Sequence, residues 1–372
     1  MPAPRSEPSP LRGPLLAGLG AACAFIVLAG ALSVFAGGEP APAGAAADIA
    51  ARPDPVILAE AEPEVDAPAA PFDDGPVEDV TLPGVADTEA ALTAPPAPER
   101  PAAPRAPLPG LYEDGPGGPL PVIGADGQRP DAAYARAHSQ RTGPVVALIV
   151  GGLGMSERLT LEAIETLPPE VTLSFAPYAR DLQGWIDRAR AAGHEVLIEL
   201  PMEPFDYPNN DPGPHTLLAE AGAAENERRL TWLLSRAAGY TGVINYQGAR
   251  LGASQAPLAR VLARLEARGL TVFHDGAGRR PVIEAAGREA GARLVLADRV
   301  IDSDPGRDAV EQRLLELEAL ALQNGAALGS GFAYPVTVEA ARAWAEGLSR
   351  RGYVLAPASH VAKLRHAQTR ET

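Results

Sequence analysis

Cysteine is nearly absent from the 372 residues: Cys23 alone cannot build a disulfide framework or a thiolate metal site. Aromatic residues are scarce, at 5% of the chain, while proline is plentiful at 39 residues, so the chain cannot pack uniformly throughout. Basic residues are outnumbered, 32 Lys and Arg against 47 Asp and Glu, and form no cluster. A net charge of −15 without a basic run excludes a nucleic-acid partner, because phosphate neutralisation needs grouped cations.

Familiar catalytic signatures are missing too. A dinucleotide fingerprint starting at Gly152 and Gly154 would need glycine where Glu157 stands. His194-Glu195 opens a zincin-like motif, but the second histidine's position is Ile198, and His194 opens a strand at the end away from any βα loop. Gly329-Ser330-Gly331 does not complete a nucleophile elbow.

One long apolar run is present. Gly13 to Gly38 carries no charge, and Leu15 to Phe35 is dominated by Leu, Ala, Ile, Val and Phe, long enough to cross a hydrocarbon core of about 30 Å. Arg5 and Arg12 precede it and acidic residues follow from Glu39. The positive-inside rule then gives a short cytoplasmic tail (1–12), a transmembrane signal anchor (13–38) and a remainder exported across a bacterial inner membrane into the periplasm. The competing reading is a cleaved signal peptide, whose apolar region would be shorter, roughly 7–15 residues. Cys23 lies mid-segment, preceded by Gly20-Ala21-Ala22, which does not fit a lipoprotein signal.

Residues 39–142 read as a disordered linker. Pro40-Ala41-Pro42, Pro95-Pro96-Ala97-Pro98 and Pro101-Ala102-Ala103-Pro104 alternate with isolated Asp and Glu, without helical or strand periodicity. Proline stiffening and like-charge repulsion make such a segment a spacer.

Residues 143–372 read as a folded domain. Apolar runs begin at Val145, Val171, Glu195, Gly242, Leu270, Arg293 and Ala326, separated by amphipathic helical stretches, the first starting at Ser156. Seven strand-then-helix repeats indicate an α/β barrel or a doubly wound sheet. Either architecture places a ligand site where the βα loops converge, at the C-terminal ends of the strands.

Those loops match one family. Val145–Gly154 with Gly151-Gly152, Val171 to Tyr178, and Ala192 to Pro204 containing Leu200-Pro201-Met202-Glu203-Pro204 resemble the divergent polysaccharide deacetylases, the YibQ-like group. Gly213-Pro214, Asn245, Gly248, Arg250, Asp275, Asp302, Asp304 and Tyr334-Pro335 follow in the family's order. The resemblance implies a deformed (β/α) barrel of the NodB type, linked to envelope carbohydrate. It also implies a divalent metal such as zinc, and here the chain departs from the pattern. Gly151-Gly152 stand where the family has two aspartates, a ligand and a catalytic base; Glu199, Tyr246 and Phe332 stand where it has histidines. Metal-assisted amide hydrolysis needs about three protein ligands and a carboxylate base. Only Glu199 keeps a ligating atom, so no metal cofactor and no metal-dependent deacetylation are expected.

The candidate pocket residues are Glu199, Glu203, Asn245, Tyr246, Arg250, Asp275, Asp302, Asp304 and Tyr334, a polar mouth with an aromatic face suited to sugar hydroxyls. Each has a structural alternative: Asp302 and Asp304 as caps of the helix near Arg307, Asp275 as a loop brace, Arg250 as the partner of a barrel carboxylate. His274 and Asp275 are adjacent, so in extended geometry only one faces the pocket. A relocated metal site would need His215 beside His274 or Asp275. The expectation is a non-catalytic module that binds an envelope glycan or peptidoglycan-remodelling proteins; the alternative is a deacetylase or hydrolase with a rebuilt site.

Overall fold

The computed structural model describes residues 105–138 and 142–371. Two short antiparallel strands, β1 (Tyr112–Gly115) and β2 (Gly118–Pro121), come first, followed by a single turn, α1 (Pro130–Ala133). The barrel strands then follow as β3 (Val145–Leu153), β4 (Thr172–Phe175), β5 (Val196–Met202), β6 (Gly242–Gln247), β7 (Thr271–His274), β8 (Leu294–Leu296), β9 (Arg299–Val300), β10 (Ala326–Phe332) and β11 (Val354–Leu355). All seven strands expected from the apolar runs are present. Their pairings are all parallel, in the order β8-β7-β6-β5-β4-β3-β10-β9, with β11 added to β3.

Helices separate the strands: α2 (Glu157–Thr166), α3 (Leu182–Ala191), α4 (Ala223–Leu234), α5 (Ala249–Gly252), α6 (Gln255–Ala267), α7 (Arg280–Ala290), α8 (Arg307–Asn324) and α9 (Pro335–Leu348). Ser156 caps α2, its hydroxyl accepting from the Leu159 N–H. Among the described residues, no helix is long and apolar enough to cross a membrane, and the expected anchor over 13–38 lies outside the described residues.

The sheet is rolled. Its two edge strands, β8 and β9, are separated in sequence only by Ala297 and Asp298. Ala297 N–H donates to His274 O at 2.8 Å and Asp298 N–H to Leu328 O at 2.7 Å, so the chain itself steps across the seam from β7 to β10. The curled, half-barrel sheet thus has its two edges joined by the chain itself, with no β8–β9 ladder among the described residues.

Two apolar layers hold it. Alternate residues such as Val196, Ile198 and Leu200 of β5 pack outward against the helices. Their neighbours point inward: Val145, Ala147, Ile149, Leu197, Ile244, Phe273 and Leu328 fill the lumen together with Val361 and Ala362 of the last helix, α10 (Ala358–Glu371). That helix closes the end where the strands begin. Ala358 N–H donates to Thr172 Oγ1 at 2.9 Å, Ser359 N–H to Glu195 Oε1 at 3.0 Å, and Arg365 to Leu296 O at 2.7 Å. The opposite end stays open as the mouth.

The expected linker boundary needs correction. Residues 105–138 are a folded brace along the starts of β5, β6 and β7. Leu111, Leu120 and Tyr134 are buried; Arg129 pairs with Asp131 and Glu266, and Asp131 also accepts from Thr271. Arg136 N–H donates to Glu195 Oε2, and its guanidinium pairs with Glu170. Proline and glycine in the Gly115–Gly118 turn hid this hairpin, because turn residues and spacer residues share a composition. The remainder of the expected linker, 39–104, lies outside the described residues.

Candidate functional site

The mouth is shaped by the strands' inward alternation. Beyond Ile149, Leu197, Ile244 and Leu328, the next inward positions toward the C-terminal ends are Gly151, Glu199, Tyr246 and Ser330, with Phe332 beyond. Strands β3, β5 and β10 run further than the apolar runs suggested, so these residues sit on strand ends. Pairing registers place Phe332 opposite Gly151 and Tyr246 opposite Pro201.

Glu199 forms the floor. Its residue exposure is 4%. Gly152 N–H donates to Oε1 at 2.6 Å and the Ser174 hydroxyl donates to the same oxygen at 3.0 Å. Oε2 has no hydrogen-bond partner among the described residues. Burial pushes the carboxyl up to about 7, although both hydrogen bonds oppose the shift.

Gly151 and Gly152 explain the change on β3. A Cβ at Gly151 would lie 2.6 Å from Ser174 Oγ and 2.7 Å from Glu199 Oε1, closer than real contacts allow. The β5 carboxylate thus occupies the volume that a side chain on β3 would need. The register between β3 and β4 slips between Val150 and Leu153, and Gly152 takes φ +75° at this bulge. A Cβ there would sit 3.1 Å from the Phe332 ring.

A divalent metal does not fit this arrangement. Glu199 is the one carboxylate at the family's metal positions, and its Oε1 already accepts two hydrogen bonds. Among the described residues, no group of three or more His, Cys, Asp and Glu could hold a metal ion.

Aromatic rings replace ligands above the floor. Tyr246 and Phe332 meet edge to face with centroids 6.0 Å apart, and Tyr334 follows at 6.1 Å from Phe332. Tyr334 is exposed, as are Met155 after β3 and Phe205 after β5. Ser174 and Phe332 were not among the candidates drawn from the sequence. Period-two alternation pointed to both, from Thr172 to Ser174 and from Leu328 through Ser330 to Phe332.

The other candidates are structural braces. Glu203 Oε2 accepts from Ala219 N–H at 2.6 Å, and its Oε1 pairs with Arg250 at 3.1 Å, while Arg250 also pairs with Glu220. Asn245 Oδ1 accepts from Asp275 N–H at 2.8 Å, and Asp275 Oδ1 accepts from Ala277 N–H at 2.9 Å. Burial works against the Asp275 carboxylate, but the His274 hydrogen bond and charge, with Ala277 and Asn245, hold it below the usual range. Asp302 Oδ2 accepts from Phe332 N–H at 2.6 Å and from Thr337 at 3.1 Å; burial raises its carboxyl nonetheless. Asp304 accepts from Gly306 N–H at 3.0 Å, just before α8.

His215 and His274, the histidines of a relocated metal site, are each held by other partners, while His138 and His360 meet elsewhere with ring centroids 4.6 Å apart. His215 stacks on Trp232 with centroids 3.7 Å apart, and its backbone N–H donates to the Tyr178 hydroxyl. His274 is buried, with Nδ1 3.1 Å from Asp275 Oδ1. His194 lies between the carbonyls of Val171 and Ile164, a core histidine at the far end.

This chain is similar to several known proteins. It is 39% identical to an uncharacterized protein, ATU2773, from Agrobacterium tumefaciens C58, whose crystal structure superposes with a TM-score of 0.64 over 66% of this chain and 99% of that one. Uncharacterized protein YibQ of Escherichia coli (strain K12) is 24% identical over 174 residues, 46% of this chain. The chain spans about half the length of that curated relative, 53%. A CE4 family pseudoenzyme from Bacillus anthracis, BA3943, is 12% identical with a TM-score of 0.36 over 61% of this chain and 68% of its own, too distant to bear on the site. The family model for divergent polysaccharide deacetylase matches residues 148–362, more than half of the chain and nearly all of the barrel. With the rolled parallel sheet and the Leu200–Pro204 strand end in place, this chain belongs to the divergent polysaccharide deacetylase family.

Proposed function

We propose that this chain is a periplasm-facing glycan-binding or interaction module without metal-dependent deacetylase activity, tethered to the inner membrane through residues 13–38. The observation that carries it is the filled position at Gly151, where Glu199 and Ser174 take the room of the missing ligand side chain. One carboxylate without histidines cannot polarise an amide carbonyl through a metal and also take the proton. Aromatic faces and hydroxyls at the rim suit pyranose rings, whose C–H faces stack and whose hydroxyls exchange hydrogen bonds. Partners in this reading are an envelope glycan or peptidoglycan-remodelling proteins.

The test is paired. Purified full-length chain should contain no stoichiometric zinc, cobalt or nickel by elemental analysis, and should bind amino-sugar oligosaccharides without releasing acetate. One metal per chain, or acetate release abolished by Glu199→Ala, would overturn it. One observation favours a second reading, a hydrolase with a rebuilt site: a carboxyl at about 7 is matched to proton transfer at neutral pH. Acetate release from a metal-free preparation would select it.

A further inference from the structure

The C-terminal strand ends bring together a buried carboxylate, Glu199, and the rings of Tyr246, Phe332 and Tyr334. Glu199 is nine-tenths buried, points inward by strand alternation, and leaves Oε2 without a hydrogen-bond partner among the described residues. A carboxylate oxygen left without a donor in so buried a residue, and reachable by solvent, is a place where a cation or a strong donor binds favourably. Two rings lie further along the inward faces of β6 and β10: Phe332 packs over Gly152, whose N–H holds Oε1, and Tyr246 meets Phe332 edge to face. A carboxylate beside aromatic faces is the chemistry that holds an ammonium group.

An acetamide would fare worse there. Its carbonyl oxygen needs donors, and the two at the floor, Gly152 N–H and the Ser174 hydroxyl, are engaged by Glu199. The Arg250 guanidinium is engaged by Glu203 and Glu220. The tyrosine hydroxyls at the rim suit neutral sugar oxygens. We infer that the mouth selects the free amine of a de-N-acetylated amino sugar, held as its ammonium form between the Glu199 carboxylate and the Tyr246 and Phe332 rings. This rests on the glycan-binding reading and specifies its ligand as the product of a deacetylation carried out elsewhere. Because burial holds the Glu199 carboxyl near 7, ammonium binding should displace a proton from it.

The experiment titrates full-length chain calorimetrically with the β-1,4 glucosamine tetramer and with its fully N-acetylated counterpart, in near-physiological salt. Two buffers of different ionisation enthalpy report proton release. The free-amine tetramer should bind at least about tenfold tighter, and Glu199→Gln should remove at least about tenfold of that affinity and the proton release. Glutamine keeps an acceptor for Gly152 and Ser174, so the fold should survive; an unfolding temperature no lower than that of the wild type checks it. Phe332→Leu, which removes a ring and leaves the charge, should weaken the same ligand. A chain carrying −15 attracts any oligocation, so tetralysine is the control and should be insensitive to Glu199→Gln. Equal or tighter binding of the acetylated tetramer overturns the ammonium inference and leaves glycan binding standing. Amine binding unaffected by Glu199→Gln also overturns it. Failure of both tetramers to bind overturns both readings.

Discussion

Two carboxylates four residues apart, Glu195 just ahead of β5 and Glu199 within it, meet opposite ends of the barrel. Glu195 lies at the sealed end and Glu199 at the mouth, roughly 13 Å apart along β5. Burial pushes both upward. Their surroundings differ. Glu195 Oε1 accepts from Thr172 at 3.2 Å and from Ser359 N–H at 3.0 Å, while Oε2 accepts from Arg136 N–H at 3.3 Å, so it ties β4, α10 and the brace together. Glu199 uses one oxygen only. The same residue type acts as a structural joint where its acceptors are filled, and leaves an acceptor oxygen available where one is not.

The largest perturbation removes a partner of the lower carboxylate. A chain starting at Thr142 lacks the brace, hence the Arg136 N–H and the buried Leu111, Leu120 and Tyr134. Each buried apolar side chain contributes about 1.5–3 kcal/mol. The three together contribute about 4.5–9 kcal/mol, comparable with a typical domain stability of about 5–15 kcal/mol. Such a chain should be insoluble or unfold at much lower denaturant than one starting at Glu39. Matching denaturation midpoints would show that the brace contributes nothing.

Next comes the lower carboxylate itself. Glu195→Ala leaves the Thr172 hydroxyl and the Ser359 and Arg136 N–H groups without their acceptor, inside a new cavity. A loss of about 3–5 kcal/mol is expected in equilibrium unfolding. A loss below about 1 kcal/mol would mean that water replaces the carboxylate there.

Glu199→Gln should behave oppositely. The folded carboxyl titrates at about 7 against an ordinary 4.5, so the folded state binds the proton more tightly than the unfolded state. Wild-type stability from this group is full below about pH 4.5 and declines as pH rises to about 7, by about 3 kcal/mol in total. The groups in contact with it, Gly151, Gly152 and Ser174, carry no charge to offset this. Glutamine does not ionise, so the variant should gain on wild type across that window and match it at low pH. A stability difference that does not change with pH would mean that solvent reaches Glu199 freely.

The strands were legible because a parallel sheet buried on both faces demands continuous apolar runs, such as Val145 to Val150. The brace was not, since three anchoring residues, Leu111, Leu120 and Tyr134, are spread among turn-forming prolines and glycines. The site was half legible. Reading the loops found Glu199, Tyr246 and the absent histidines, yet it could not show that Glu203 and Arg250 satisfy each other, or that Asp302 holds the Phe332 backbone. Those roles depend on which segments fold back on one another, as Ala219 N–H does on Glu203.

The smallest effect tests whether Glu199 and Gly151 are a matched pair. In Gly151→Ala the new methyl group would lie 2.6 Å from Ser174 Oγ and 2.7 Å from Glu199 Oε1, so both side chains must move. Forcing them apart weakens two hydrogen bonds and costs about 1–3 kcal/mol. Removing the carboxylate first, in Glu199→Ala, opens the room, and Ser174 is then free to rotate. A double-mutant cycle should therefore give a favourable coupling of about 1–2 kcal/mol between the two substitutions. Additive losses would place the clash on Ser174 alone. A neutral Gly151→Ala in the wild-type background would show that β3 has space for a side chain, so that an aspartate could return without displacing Glu199. With the expected coupling, restoring the family's β3 carboxylate requires changing β5 as well, and no single substitution rebuilds the ligand set.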